Sequence, residues 1–288
     1  MSRAAPHRRS RRVIIILLVT AALCAGLAVR GWVDTTRPRL RGVGREAGVT
    51  RELRVLHVSD LHARRFGAHQ AGLERILRGV HADVALITGD MIVAGRDELG
   101  PALELVAVLR RHASLLVFVP GNHDDAQVAS ALERHRVRLV EPGEVISIPG
   151  RGDVAIVSAD RAGAITAAPA RAAPLLIVAM HQPPGERTLR AARRLTTGTQ
   201  LLLAGHTHGG QLRMPWVGAL IAPVSWDEVE TGGSMLELFP DLRGFLVVGE
   251  EHAGDQWVSV STGLGETLLP FRLFDRAEIT LFTVRPRR

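Results

Sequence analysis

Two patterns of apolar and polar positions divide the chain. Residues 13–29 run Val-Ile-Ile-Ile-Leu-Leu-Val-Thr-Ala-Ala-Leu-Cys-Ala-Gly-Leu-Ala-Val without a charge. At 1.5 Å per residue they supply roughly 25 Å of helix, slightly short of a ~30 Å hydrocarbon core. Gly31, Trp32 and Val33 then help complete a segment over 13–33. From Leu53 onward short apolar runs alternate with helical spacing. Residues 54–58 read as a strand, and Leu73, Ile76, Leu77 and Val80 recur at the spacing of one helix face. Residues 84–87 and 115–119 read as buried strands, with a helix over 98–111 between them. This rhythm predicts a parallel sheet flanked by helices. Further strands are predicted at 154–158, 175–180, 200–204, 245–249, 256–260 and 277–283, with one clear helix at 186–194. A second, more mixed sheet packed on the first suits that half. Between the two patterns, residues 34–51 carry Pro38, Gly42, Gly44 and Gly48 among charges and read as a linker with little structure of its own. The domain proper is then 52–288.

Charge gives the apolar segment a direction. Arg3, Arg8, Arg9, Arg11 and Arg12 precede it, and no acid occurs before Asp34. An Arg-rich stretch at 1–12 predicts a cytoplasmic N-terminus, which places the rest of the chain outside. The expected location is the cell membrane, single-pass, with the domain on the extracytoplasmic side. A second reading stays open: Ser10-Arg11-Arg12-Val13 before an apolar run resembles a twin-arginine export signal, and Gly26 and Ala28 offer small residues for cleavage. Leu23 is too bulky to precede a lipid-modified Cys24.

Composition removes other classes. The net charge of +7 suggests nucleic acid, but six of the positive charges sit at or before Arg30, leaving the remainder near neutral. All the bases are Arg, Tyr is absent and aromatics are 4%. A stacking platform or basic groove for nucleic acid is therefore poorly supplied. Cys24 is the sole cysteine, so an intrachain disulfide and a thiolate metal site are both excluded.

Five motifs each follow a predicted strand: Ser59-Asp60-Leu61-His62, Thr88-Gly89-Asp90, Gly121-Asn122-His123-Asp124, His181-Gln182-Pro183 and Gly205-His206-Thr207-His208-Gly209. Ligands of open α/β sheets bind beyond the carboxyl ends of strands, so these groups have a reason to converge. Imidazole, carboxylate and amide oxygen suit divalent and transition metals. Single members of the set have structural readings, since Asp60 would cap a helix and Asp90 would close a turn. The order of all five is what points to chemistry.

That order, D-x-H, G-D, G-N-H-D, H and G-H-x-H, resembles the calcineurin-like metallophosphoesterase family over about residues 53–283. Gly263-Leu264-Gly265 and the closing strand near 277–281 resemble its bacterial branch of membrane-attached or exported phosphodiesterases. The resemblance implies an α/β fold: a four-layer α/β/β/α sandwich of two packed mixed sheets flanked by helices, preceded by one N-terminal membrane segment. It implies two divalent or transition-metal ions (Mn, Fe or Zn). One would take Asp60, His62, Asp90 and His208; the other Asp90, Asn122, His181 and His206, with Asp90 shared. His123 would face the substrate and Asp124 would orient it. The implied reaction is hydrolysis of a phosphate ester, with a phosphodiester favoured over a phosphomonoester, by attack of a metal-bridging hydroxide. The substrate would be lipid-derived or cell-envelope-derived if the domain lies outside the membrane. A non-catalytic scaffold of the same fold is the rival of another class, but the ligand set and His123 are complete here.

The chain departs from the family at Asp125, where many relatives carry an aromatic, and over 214–245, which includes Trp216, Trp226 and the acids Asp227, Glu228 and Glu230. Arg64 and Arg65, which follow the first motif, read either as groups that reach a phosphate or as a solvated loop, and Gln211 reads as a candidate hydrogen-bonding group near the site. His7, His57, His69, His81, His112, His135 and His252 read as surface or core residues.

Overall fold

The computed structural model describes residues 6–95, 98–159, 164–165, 173–223, 236–267 and 269–287. Residues 1–5 of the Arg-rich stretch, and Trp226, Asp227, Glu228 and Glu230, lie outside the described residues. The chain opens with helix α1 (Pro6–Thr36). Its apolar side chains from Val13 to Val29 are exposed along the whole run, so no protein surface covers them. An apolar run of this length that the protein leaves uncovered has the length and composition of a membrane span or of a signal sequence.

Two six-stranded sheets follow. The strands are β1 (Arg39–Ala47), β2 (Leu53–Val58), β3 (Ala82–Ile87), β4 (Ala113–Phe118), β5 (Arg138–Leu139), β6 (Val145–Ile148), β7 (Arg151–Ser158), β8 (Leu175–Ala179) and β9 (Thr199–Ala204). Beyond them come the short β10 (Arg213–Met214), β11 (Gly218–Ala219), β12 (Ile221–Pro223) and β13 (Leu236–Leu238), then β14 (Gly249–Ala253), β15 (Gln256–Val260) and β16 (Glu278–Pro286). One sheet has the order β1-β16-β2-β3-β4-β5, the other β14-β15-β9-β8-β7-β6. Both are mixed: β2, β3, β4 and β5 run parallel with β16 antiparallel beside β2, while β15, β9, β8 and β7 run parallel between antiparallel edges.

Alternation along the strands builds three apolar layers. Val55, Val84 and Leu86 face Ile177, Leu201 and Leu203 across the gap between the sheets. The opposite faces of the first sheet, with Leu56, Val58, Ala85 and Ile87, pack under α2 (Ala71–Leu77), α3 (Gly100–His112) and α4 (Ala126–Arg134). Leu176, Val178 and Leu202 pack under α5 (Glu186–Leu195). Strands buried on both faces read as continuous apolar runs, which is why their positions were legible and their facing was not. The architecture is the two-sheet α/β sandwich with flanking helices expected from the sequence.

Two expectations need correction. The linker proposed for 34–51 is structured, because Arg39–Ala47 pairs in parallel with Glu278–Pro286 over its whole length. Its glycines and arginines suit an edge strand whose outer face is polar: Arg39 and Arg41 both bond Glu278, and Arg41 also reaches Glu250. The strand expected at 245–249 forms instead at Gly249–Ala253, while Val247 is buried in a small cluster with Ala219 and Ala222.

Candidate metal centre

The five motifs meet at one edge of the sandwich, where β2, β3 and β4 of the first sheet and β8 and β9 of the second release their chains. Asp60, His62, Asp90, His206 and His208 all hold left-handed backbone, with φ of 53°, 45°, 55°, 72° and 52°. Non-glycine residues take that conformation at a cost of about 1–3 kcal/mol each, and they keep it only where surrounding contacts over-determine it. Those contacts are present. The backbone N–H of Asp60 donates to the Gly89 carbonyl, and that of His62 to the Asp90 carbonyl. The His206 N–H donates to the Asp60 carboxylate at 3.0 Å. Glycine is required at 205 by approach rather than by φ: a Cβ there would run into Ser59 Oγ and the Asp60 carboxylate. At Gly121 a Cβ would collide with the Asp90 carboxylate.

The side chains form three donor groups among the described residues. Asp60, His62 and His208 gather on one side, Asp90, His181 and His206 on the other, and His62, Asp90 and His123 link them, with donor atoms in each group within 4.8 Å of one another. Asp90 Oδ2 stands between them, 3.4 Å from His62 Nε2 and 3.2 Å from His181 Nε2. His62 Nε2 and His208 Nε2 are 3.1 Å apart, and His206 Nδ1 and His181 Nε2 also 3.1 Å apart. Asn122 Oδ1 lies 3.0 Å from His181 Nε2.

Backbone carbonyls set which nitrogen faces inward. His181 Nδ1 donates to the Thr88 carbonyl at 2.8 Å, and His208 Nδ1 to the Gly265 carbonyl at 3.1 Å. Each bond leaves the Nε2 lone pair aimed into the cluster, the arrangement of a metal-binding histidine. Lone pairs and carboxylate oxygens packed face to face repel unless a proton or a cation lies between them, so the donor set fits metal ions. The titration behaviour agrees. Burial lowers His62 to about 4 and His206 to about 3, and drives His208 well below its ordinary value. Burial also raises Asp60 to about 6. Burial would raise Asp90 too, but the charge of His181 and then His62 outweigh it and hold that carboxyl well below the usual range. His181 in turn is lifted to about 9 against the effect of burial, by Asp90 foremost.

His123 stands at the rim, partly exposed, with Nε2 4.0 Å from Asp90 Oδ2. Its Nδ1 accepts the Ala94 backbone N–H at 3.1 Å, so the neutral ring carries its proton on Nε2. Asp124 is bound up with the turns beside His123. Its buried carboxylate accepts the N–H of Asp90 at 2.7 Å, Met91 at 2.8 Å and Gly121 at 2.9 Å, tying the Asp90 turn to the Asn122 turn. The ring of His123 is held by Ala94.

Other candidates divide. Arg64 lines the cleft beside His62 and His123 and bonds Glu266 at 3.2 Å. Arg65 pairs with Glu104 at 3.3 Å. The Gln211 amide donates to the Leu269 carbonyl and accepts from the Leu269 N–H, so it braces the cleft wall. Asp125, the family departure, caps α4 by accepting from Gln127 and Val128. His57 is buried against Thr88, and His112 is buried between Val80 and Glu74. Sequence reasoning missed Arg272. It is wholly buried, and it donates to the His208 carbonyl at 3.3 Å and to the Gly265 carbonyl while pairing with Asp275 at 2.7 Å. Its neighbours in sequence carry no motif that marks it.

Comparison with known proteins matches this geometry. The chain is 28% identical over 272 residues to Phosphodiesterase YaeI of Escherichia coli (strain K12), covering 87% of this chain and 88% of that one. It is 26% identical over 221 residues to the uncharacterised metallophosphoesterase YkuE of Bacillus subtilis (strain 168), covering 70% and 68%. Among solved structures, the phosphopantetheinyl hydrolase PptH of Mycobacterium tuberculosis is similar at 15% identity with a TM-score of 0.32, over 55% of this chain and 84% of that one. The model of the calcineurin-like phosphoesterase family matches residues 53–210, more than half of the chain and all five motifs, and the chain belongs to that family.

Proposed function

We propose that the protein is a phosphodiesterase that works with two metal ions, attached to a membrane by α1 with its catalytic domain on the extracytoplasmic side. The observation that carries the reading is the pair of donor groups joined through Asp90 Oδ2, with His123 Nε2 beside them. Asp60, His62, Asp90 and His208 would hold one ion; Asp90, Asn122, His181 and His206 would hold the other, and Mn, Fe and Zn suit these donors. Bound there, the ions supply the positive charge that offsets phosphoryl oxygens and the Lewis acidity that lowers the pKa of the attacking water.

The chain's own groups do the rest. Attack of water on phosphorus forms one P–O bond and breaks the ester P–O bond in line with it. The His123 Nε2–H, a position fixed by the Ala94 N–H, would donate a hydrogen bond to the leaving oxygen and stabilise its developing charge, and that oxygen takes its proton from the solvent into which the attacking water releases one. The Asp124 carboxylate keeps Asp90 and Gly121 at the separation the two donor groups need. The name of the relative YaeI supports a diester substrate. The charge asymmetry around α1 supports the orientation.

The test is metal analysis and turnover on the purified full chain. Near two equivalents of metal per chain are expected, with hydrolysis of bis-p-nitrophenyl phosphate faster than of p-nitrophenyl phosphate. Chelation should abolish activity and added Mn²⁺ should restore it. Full activity in the metal-stripped protein would sink the reading, and a clear preference for the monoester would replace the diester with a phosphomonoester.

A further inference from the structure

The cleft beside His123 and the end of the membrane helix share one wall. The cleft holds about 670 Å³ and is bounded by His62 and Arg64 on one side and by Glu266, Thr267, Leu269 and Pro270 on the other. The chain beyond Pro270 runs directly onto the end of α1. The N–H of Arg272 donates to Thr35 Oγ1 at 2.8 Å, that of Phe274 to Asp34 Oδ2 at 2.8 Å, and that of Ala277 to the Asp34 carbonyl at 3.1 Å. Asp34 and Thr35 are buried by these contacts. A Cβ on Gly31 would touch the Arg272 carbonyl at 3.1 Å and the Phe271 ring at 3.8 Å. The Arg30 guanidinium lies 5.4 Å from the centre of the Phe274 ring. The helix therefore meets the domain rigidly, and Phe271 and Phe274 stand level with residues 30 and 31. The uncharged run ends at Val29, so that level is where the hydrocarbon would give way to headgroups.

The same level carries apolar side chains that no protein covers. Phe271 is 44% exposed, Phe274 38% and Leu269 36%. The β10–β11 hairpin adjoins them, since Arg213 donates its N–H to the Leu273 carbonyl at 3.0 Å. Its tip presents Met214 at 46% and Trp216 at 99% exposure, with Trp216 in left-handed backbone at φ 66°. A tryptophan held wholly outside the fold on a strained turn has no packing reason to be there. Trp32, on the helix itself, is 55% exposed. Aromatic rings gathered around the end of an apolar helix are the composition of a membrane interface.

We infer that Leu269, Phe271, Phe274, Met214 and Trp216 form a rim that lies in the headgroup region of the membrane that α1 crosses, so that the cleft beside His123 opens at the lipid surface. The occupant is the bilayer, because the rim is continuous with the helix and fixed to it by three hydrogen bonds. A phosphate carried on a lipid headgroup then reaches His62 and His123 without its acyl chains leaving the bilayer. The inference rests on the proposed membrane anchor.

The experiment uses the full chain, reconstituted into vesicles of phosphatidylethanolamine and phosphatidylglycerol whose acyl chains carry bromine, which quenches tryptophan at close range. Flotation first shows whether the protein is anchored. Wild type and Trp216→Phe are then compared in brominated and unbrominated vesicles. A rim in the interface gives wild type a quenched emission component that Trp216→Phe lacks, over a background from Trp32, Trp226 and Trp257 common to both. Both proteins should hydrolyse bis-p-nitrophenyl phosphate at equal rates, since Trp216 touches nothing in the site. Protein that floats but shows the same quenching in both forms overturns the rim, and leaves Trp216 facing water or another chain. Wild type that fails to float overturns the anchor and the rim together, while its activity on the soluble diester still stands for the phosphodiesterase reading.

Discussion

The backbone N–H of Asp90 lies 2.7 Å from the carboxylate of Asp124, and the same carboxylate takes the N–H of Gly121 at 2.9 Å. Asp124 therefore joins the Asp90 turn to the turn that carries Asn122 and His123. Asp124→Ala should leave three buried N–H groups without this acceptor, at about 1–3 kcal/mol for each one left unpaired. Melting temperature and metal content should fall together, with Asp124→Asn intermediate because it keeps one acceptor oxygen. Retention of both metals and of wild-type stability in Asp124→Ala would remove this role.

His123 and Asp90 should separate in kinetics. Asp90 Oδ2 lies 3.4 Å from His62 Nε2 and 3.2 Å from His181 Nε2, between the proposed ion positions, so Asp90→Asn should lose metal and activity together. His123 has its Nε2 4.0 Å from that oxygen and its Nδ1 satisfied by Ala94, so His123→Ala should keep both metals. Its kcat should drop roughly 10²–10³-fold, the usual worth of one hydrogen-bond donor aimed at a developing oxyanion. The loss should shrink for esters of good leaving groups, whose leaving oxygen needs less stabilisation. A His123→Ala protein that loses metal as Asp90→Asn does would make His123 a ligand.

Stability should depend on pH through His57. Its ring is wholly buried, with Nε2 2.8 Å from Thr88 Oγ1. Burial first, and then the charge of Arg41, lower its pKa from 6.5 to about 3. The folded state thus refuses a proton that the unfolded chain accepts, so the stabilisation is fully present above pH 6.5 and is lost as pH falls toward 3. The slope is about 1.4 kcal/mol per pH unit. Urea unfolding of the metal-stripped protein at pH 7 and pH 5 should show wild type losing about 2 kcal/mol more than His57→Gln. The other buried histidines contribute equally to both proteins. Equal losses in the two would show that His57 titrates normally.

The sequence was most informative where chemistry and period coincide. Strands buried on both faces left unbroken apolar runs at 84–87, 175–180 and 201–204, and the motif residues follow each run directly. The edge strand Arg39–Ala47 was illegible, because one of its faces is solvated and its partner, Glu278–Pro286, lies at the far end of the chain. Gly42 and Gly44 then looked like linker residues when they are strand positions. Within the site, residue types pointed to metal, but the left-handed backbone of Asp60, His62, Asp90, His206 and His208 leaves no trace in residue type. Nor do the Ala94 N–H and the Thr88 and Gly265 carbonyls, which any residue would offer from the backbone. Gly263-Leu264-Gly265 was visible as a family feature, and its physical role is the bond from the Gly265 carbonyl to His208.

The join between α1 and the domain makes a prediction about where the chain can be cut. Asp34 and Thr35 are buried and accept three backbone N–H groups from residues 272, 274 and 277. Arg272 extends the connection inward, because its guanidinium donates to the carbonyl of His208. A chain that begins at Pro38 loses those acceptors, although β1 and all seven proposed ligands remain. One that begins at Val29 keeps them and drops only the apolar run. The shorter protein should be less stable by about 2–4 kcal/mol, the worth of two or three such bonds at a buried position. It should also hold metal more weakly, since the brace behind His208 is released. The longer one should melt within a few degrees of the full chain. The same pair bears on the N-terminal segment: export with cleavage near residue 29 would leave a stable mature enzyme, whereas a retained anchor in the proposed orientation would hold the domain on the outer surface of the membrane. Protease added to intact spheroplasts should digest that domain while α1 stays with the membrane fraction. Equal stability and metal affinity in the two truncated chains would show that the end of α1 is a passive tether. Resistance of the domain in sealed spheroplasts would place it on the cytoplasmic side.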